Sequence, residues 1–485
     1  MLFKPTHITL VLTLSVFSMQ PRAIEIEKIQ LPEMGDSSGT LISPAQEKEL
    51  GDAFFRSLHN RIKINQDAEI QEYIQSIGKE LVANSDLPSN PFHFFVVLDP
   101  QINAFAGPGG YIGVNSGLLL LTQAESELAS VLAHEIAHVT QRHLYRAFEA
   151  ASKLSIPTAA ATLAAILLGT QSPALGQAAL IAIQAGSVQF QIDFTRDNEK
   201  EADRVGMQTL AQSNFNPRSM PVFFERLQQS SRYYGQGIPE FLRTHPVSSA
   251  RISDTRGRAN KYPYKQYPDS QGYLLTRAKL RVFTATDKKK PLEYFKTREH
   301  QGTKQQRAIA RYGIALIYQD TRKFSAADKI FQQLTKQYPN QPQYAYAVAK
   351  TAHDAQHYKK ALELFKKAIS RFPTNNAIKI EYISTLLKIE KPKKAKIVLQ
   401  SLSYQMKNQP IYFELLAQTY ADLKQPAESH RYLAEYYYAN GATKAAILQI
   451  NLAKKADGIN FYLQAILDQR LLFFQNEEKE RKQNQ

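Results

Sequence analysis

His134-Glu135-Ile136-Ala137-His138, preceded by Ala124-Glu125-Ser126-Glu127-Leu128-Ala129-Ser130-Val131-Leu132-Ala133, is the stretch on which the reading of this chain turns. Leu128, Val131, Leu132, Ile136 and Val139 recur at helical spacing with no Pro or Gly among them, so the segment is read as a helix. Residues four apart lie about one turn apart on the same face, which lets His134 and His138 offer two imidazole nitrogens to one metal ion. Glu135 projects one residue round, placed to act as a base on water at the metal without being a ligand. The donors and their spacing suit one Zn²⁺ per chain. The same pattern also occurs on helices that bind nothing, so the rest of the chain must supply the missing donors.

At 485 residues the chain exceeds one ordinary core, and two or three domains are expected. It has no cysteine, which excludes disulfides, thiolate metal sites, cysteine nucleophiles and a lipoprotein anchor. Any metal must be held by histidine and carboxylate. The formal charge of +16 would suit nucleic acid or an anionic membrane surface. No nucleic-acid recognition motif accompanies it, and runs such as Lys288-Lys289-Lys290 and Lys393-Lys394 read as solvated helix faces. No nucleic-acid partner is expected, while peripheral membrane contact stays open. Lys4 precedes an apolar run from Ile8 to Met19, the length of a signal-peptide core and short of the ~20 residues that span a bilayer. Export with cleavage after Ala23 is the expectation, an uncleaved anchor the alternative.

Along the chain, Ser43-Pro44-Ala45-Gln46-Glu47 opens a helix, and Ile70, Tyr73, Ile74, Ile77, Leu81 and Val82 form the stripe of a second from Ala68 to Ala83. Phe92 to Leu98 reads as a strand. Ile102-Asn103-Ala104-Phe105-Ala106, Gly107-Pro108-Gly109-Gly110 and Tyr111-Ile112-Gly113-Val114 read as strand, tight turn, strand. This hairpin is either structural or an edge that holds an extended peptide by backbone hydrogen bonds. Ile156 to Leu168 and Ala174 to Ala185 are two apolar helices, each too short to span a membrane; they pack in the core or lie exposed near the site.

Glu199 and Asp203, in Arg196-Asp197-Asn198-Glu199-Lys200-Glu201-Ala202-Asp203, share a helical face. One carboxylate can complete a His-His-Glu set with a position left for water, and the other can orient an imidazole. Glu201 is out of phase with them and is expected in solvent. Farther on, Phe324, Ala327, Phe331, Tyr338 and Pro339 recur 34 residues later as Tyr358, Ala361, Phe365, Phe372 and Pro373, the period of tetratricopeptide helix pairs. Four or so repeats are expected, stacked around a groove of the kind that binds extended peptides or partner proteins.

These residues resemble the zinc endopeptidases that include the CAAX prenyl protease and the heat-shock protease HtpX. In that family a Glu-x-x-x-Asp helix some sixty residues after the His-Glu-x-x-His helix supplies the third ligand, and Glu199 lies 61 positions after His138. By this resemblance Glu199 is the ligand, Asp203 the residue behind it, and Asn103, Ala104 and Phe105 belong to the substrate-facing edge. The chain lacks the membrane spans of the embedded members and is closer to the exported branch that carries tetratricopeptide repeats. There a later histidine can fill the open zinc position, and His245 in Arg243-Thr244-His245-Pro246 resembles it.

The fold expected is mainly α, a zincin-like α+β metalloprotease domain with a small sheet followed by an α-solenoid. The boundaries are a signal peptide at 1–23, the protease at 24–260, a basic connector at 261–303, the repeats at 304–475 and a frayed polar tail at 476–485. The resemblance implies a periplasmic metalloprotease with a chaperone-like role in outer-membrane protein assembly. Its substrates would be unfolded or stalled β-barrel proteins, and its partners the barrel assembly machinery. The rival is a repeat scaffold or chaperone whose metal site is normally closed or inactive.

Overall fold

The computed structural model describes residues 42–148, 156–167, 196–233, 239–406 and 409–483. The stretch 1–23 read as a signal peptide and the apolar segment Ala174–Ala185 lie outside them.

Two helices, α1 (Pro44–His59) and α2 (Ala68–Val82), precede the sheet. Ser43 caps α1 in a reciprocal box with Gln46, and Asp67 caps α2. The strands are β1 (His93–Val97), β2 (Ala104–Ala106) and β3 (Tyr111–Asn115), in the order β1-β3-β2. The hairpin β2–β3 is antiparallel, with Ala104 opposite Val114, while β1 runs parallel to β3. Alternate residues sort to two faces. Phe94, Val96, Ala104, Ala106, Ile112 and Val114 face the larger core, whereas Phe95, Val97, Phe105 and Tyr111 face α1.

After α3 (Ser116–Leu121) comes α4 (Glu125–Thr140), the helix of the metal motif. Every residue of α4 except Val139 is buried, so it runs through the middle of the domain. A short α5 (His143–Phe148) follows, then α6 (Ile156–Leu167), whose Ala159, Ala160, Leu163 and Ala164 pack in the core beneath α1. The first apolar segment is thus a core helix.

The acidic segment forms α7 (Arg196–Gln212), which packs along α4. Small residues make this possible: Ala137 meets Ala202, and a Cβ on Gly206 would stand 3.0 Å from the Ala133 carbonyl and the His134 nitrogen. Three more helices, α8 (Ser219–Tyr233), α9 (Glu240–Thr244) and α10 (Ser249–Ala259), close the domain.

The stretch read as a connector holds two helices, α11 (Gln271–Thr284) and α12 (Lys289–Gln301). Leu275, Ala278, Val282 and Phe295 join one core with Tyr312, Phe331 and Tyr344, so this hairpin begins the stack of repeats. Five helix pairs follow among the described residues, from Lys304–Asp320 with Phe324–Gln337 to Thr443–Ala453 with Phe461–Gln483. Arg322, Gln356, Glu390 and Lys424, 34 residues apart, all adopt left-handed backbone at the turn inside a pair. As far as Gln483 the expected frayed tail is instead the end of the last helix, where Glu477 meets Arg56 and the Tyr438 hydroxyl.

The array leans on the domain that carries the metal motif. Ala377 donates its backbone N–H to Glu72 on α2 at 3.4 Å, and Asn60 donates to the Gly441 carbonyl at 3.2 Å. Among the described residues no helix is long and apolar enough to cross a membrane.

Candidate metal centre

Buried on three elements, His134, His138, Glu199 and His245 bring one donor atom each to within 4.8 Å of one another. His134 and His138 come from adjacent turns of α4, Glu199 from the first turn of α7, and His245 from the residue that ends α9. The His245 backbone N–H donates to Phe241 at 2.7 Å, which fixes the turn and aims the ring inward. Nε2 of His138 lies 3.0 Å from Nε2 of His134 and 3.4 Å from Oε1 of Glu199. Nδ1 of His245 lies 3.4 Å from Nε2 of His134 and 2.9 Å from Oε1 of Glu199. Four donors at zinc bond lengths and tetrahedral angles stand about 3.3 Å apart, so these residues fit a zinc ion.

Glu135 lies beside this group and is also buried. Its Oε1 has no hydrogen-bond partner and sits 3.5 Å from Nε2 of His245. Burial raises the Glu135 carboxyl above its ordinary value, against the pull of His245 and His134. Burial also pushes His138 well below its ordinary value, leaving a neutral ring with a lone pair to offer. His134 feels the same burial, but Asp203 and Glu199 outweigh it and push the ring up to about 9. Burial alone would raise Glu199, yet His245, His134 and His138 hold it well below the usual carboxylate range.

Asp203 lies behind the donors, its Oδ1 3.1 Å from Nδ1 of His134. Sequence reasoning missed its partner. Arg251, in the first turn of α10, donates from Nε and Nη2 to the two Asp203 oxygens at 2.8 and 2.7 Å. Its Nη1 donates to the Pro246 carbonyl at 2.9 Å and lies 2.6 Å from Oε2 of Glu199. One guanidinium therefore ties together both carboxylates and the loop of His245. No short motif marks it; the sole sequence cue is its place six residues after His245.

Two expectations change. Glu201, expected in solvent, turns inward, with Oε2 3.1 Å from Nε2 of the wholly buried His143. Phe105 does not face the donors; its ring packs edge-on against Phe95 on the α1 side of the sheet. Ala104 and Ala106 lie on the α4 side, Asn103 is buried with an unpartnered Oδ1, and the Ala106 N–H meets the Glu135 carboxyl. What β2 presents near the site is an outer strand's backbone.

The sequence pattern of peptidase family M48 matches residues 68–259, and that of a tetratricopeptide repeat matches 352–419. A putative beta-barrel assembly-enhancing protease of Vibrio cholerae is 38% identical over 466 residues, spanning 96% of this chain and 93% of the relative. The beta-barrel assembly-enhancing protease of Escherichia coli K12 is 33% identical over 441 residues, 91% of this chain and 90% of the relative. Similarity to the mitochondrial metalloendopeptidase OMA1 of Schizosaccharomyces pombe, 31% over 180 residues, is confined to 37% of this chain and 50% of that one.

Proposed function

This chain belongs to peptidase family M48, a metallopeptidase joined to tetratricopeptide repeats, and from that premise we propose a periplasmic zinc endopeptidase serving outer-membrane protein assembly. Its substrates are misfolded or stalled β-barrel proteins, and its repeats engage the barrel assembly machinery. The relatives named beta-barrel assembly-enhancing protease, matched over nearly their full length, support the setting. The buried group of His134, His138, Glu199 and His245 carries the chemistry.

In this reading His134, His138 and Glu199 hold the ion. When bound, zinc supplies a Lewis acid that polarises the scissile carbonyl and makes water acidic near neutral pH. Glu135 takes the proton from the attacking water at Oε1 and passes it to the departing amine. Asp203, braced by Arg251, keeps the His134 ring turned so that Nε2 faces the ion. The backbone of β2 pairs with an extended substrate. Glu199→Gln tests the ligand set: elemental analysis of the purified full chain should fall from one zinc per chain to well under half. A full complement of zinc in that variant removes Glu199 from the set.

A second reading rests on one observation, the Nδ1 of His245 standing among the donors. There it fills the position water needs, so the protease rests closed and the repeats act as a chaperone between openings. His245→Ala should raise cleavage of casein or of a misfolded barrel precursor several-fold. An unchanged rate would discard the gate.

A further inference from the structure

His143 follows the motif by five residues, is wholly buried and takes no part in the four-donor group. It reaches its place through a forced turn. Between α4 and α5 Arg142 adopts φ of 55°, a left-handed conformation that is strained for a residue with a side chain. The turn folds the chain back so that the His143 ring stands edge-on to His138, with centroids 4.9 Å apart. Nδ1 of His143 lies 2.9 Å from Nδ1 of His138. The other His143 nitrogen, Nε2, meets Oε2 of Glu201, which α7 carries two residues beyond Glu199.

Two imidazole nitrogens in contact at that distance share one proton, so one donates and the other accepts. The direction follows from the site. His138 turns Nε2 toward His134 and Glu199, and a metal there needs the lone pair of Nε2, which puts the ring proton on Nδ1. His143 must then accept at Nδ1 and carry its own proton on Nε2, and Glu201 is the acceptor for it.

We propose that Glu201 and His143 are positioning residues for the metal, a carboxylate-imidazole relay that sets the tautomer, the orientation and the basicity of His138. This rests on reading His138 as a zinc ligand. The arrangement answers the one at His134, where Asp203 and Arg251 stand behind the ring. Each imidazole of the motif thus has a carboxylate behind it, directly for His134 and through a second ring for His138. A ring needed only for its volume would be apolar, since burying two imidazole nitrogens is costly unless each has a polar partner.

The test uses the full-length chain stripped of metal and reloaded, with zinc affinity read by competition against a chelating dye and ligand geometry by the absorption bands of the cobalt-loaded protein. His143→Leu should weaken zinc binding by about 10- to 100-fold and shift the cobalt bands. Glu201→Gln, at a partly exposed position, should shift them in the same sense with a smaller loss of affinity. His143→Gln, which keeps an oxygen acceptor for the His138 proton, should recover most of the loss. Because the two residues act in series, the double variant should bind no worse than His143→Leu alone. Affinities within twofold of the parent and unchanged bands in both His143→Leu and Glu201→Gln overturn the relay. If His143→Leu fails to fold, Glu201→Gln and His143→Gln decide by the same criteria. A parent that takes up no zinc overturns the ligand set and the relay together, whereas a zinc-binding parent with indifferent variants overturns the relay alone.

Discussion

Glu135→Gln is expected to keep its metal and to lower peptide-bond cleavage by roughly a hundred- to ten-thousand-fold, the usual worth of a positioned general base. The amide is the size of the carboxyl it replaces and cannot take up a proton. None of His134, His138 or Glu199 is altered, so zinc content should stay at one per chain. Glu135 is suited to the task because its carboxyl is enclosed: Ala106 of β2 stands on one side and His245 on the other, with Oε1 unpartnered. Burial raises its proton affinity toward the range where a base can accept from water and later release to an amine. The loss should therefore appear in kcat with KM little changed. A variant that cleaved at the parental rate would place the base on another residue.

What the sequence disclosed depended on how local each signal was. The motif helix and the 34-residue repeats rest on periodicities within one element, and α4 and the helix pairs lie where those periods put them. The reach of Glu199 to the histidines rested on family resemblance, and its physical reason, the close approach permitted by Ala137, Ala202 and Gly206, emerges only when two helices are set side by side. Helical phase placed Glu201 away from α4, but phase describes a residue's direction from its own axis; α5 came round to meet it through the turn at Arg142. Arg251 lies 48 residues beyond the Asp203 it clamps, and nothing local advertises the pairing. The helices α11 and α12 were hidden by their basic composition, with Arg277, Lys279 and Arg281 interrupting the apolar stripe. Polar composition likewise suggested a loose end at Asn476, where the helix continues because Arg56 and Tyr438 await Glu477.

One of those misleading lysines carries the other large expected effect. Lys279 on α11 is buried, and its Nζ lies 2.6 Å from Asp67 and 2.5 Å from Glu69 at the start of α2. It also stands over the Tyr346 ring of the second repeat pair, 5.1 Å from its centre. One ammonium thus joins α2 of the protease domain, the helix that opens the stack and the stack itself. Burial works against its charge, but Asp67 and Glu69 outweigh burial and hold the ammonium above its ordinary value. Lys279→Met keeps the length of the side chain and leaves two carboxylates buried together without a cation, at a cost of about 3–5 kcal/mol. The sign of the pH dependence follows from Glu69, which burial already pushes up to about 7 even with Lys279 present. An acid raised in the folded state binds more protons folded than unfolded, so its penalty is full above its folded value and fades as pH falls toward its unfolded value near 4.5. Removing Lys279 raises it further. The variant's deficit in urea midpoint should therefore be large at pH 8 and smaller at pH 5, and adding Glu69→Gln should recover part of it at pH 8. Equal midpoints for parent and variant at pH 8 would mean that the junction is held by its apolar contacts alone.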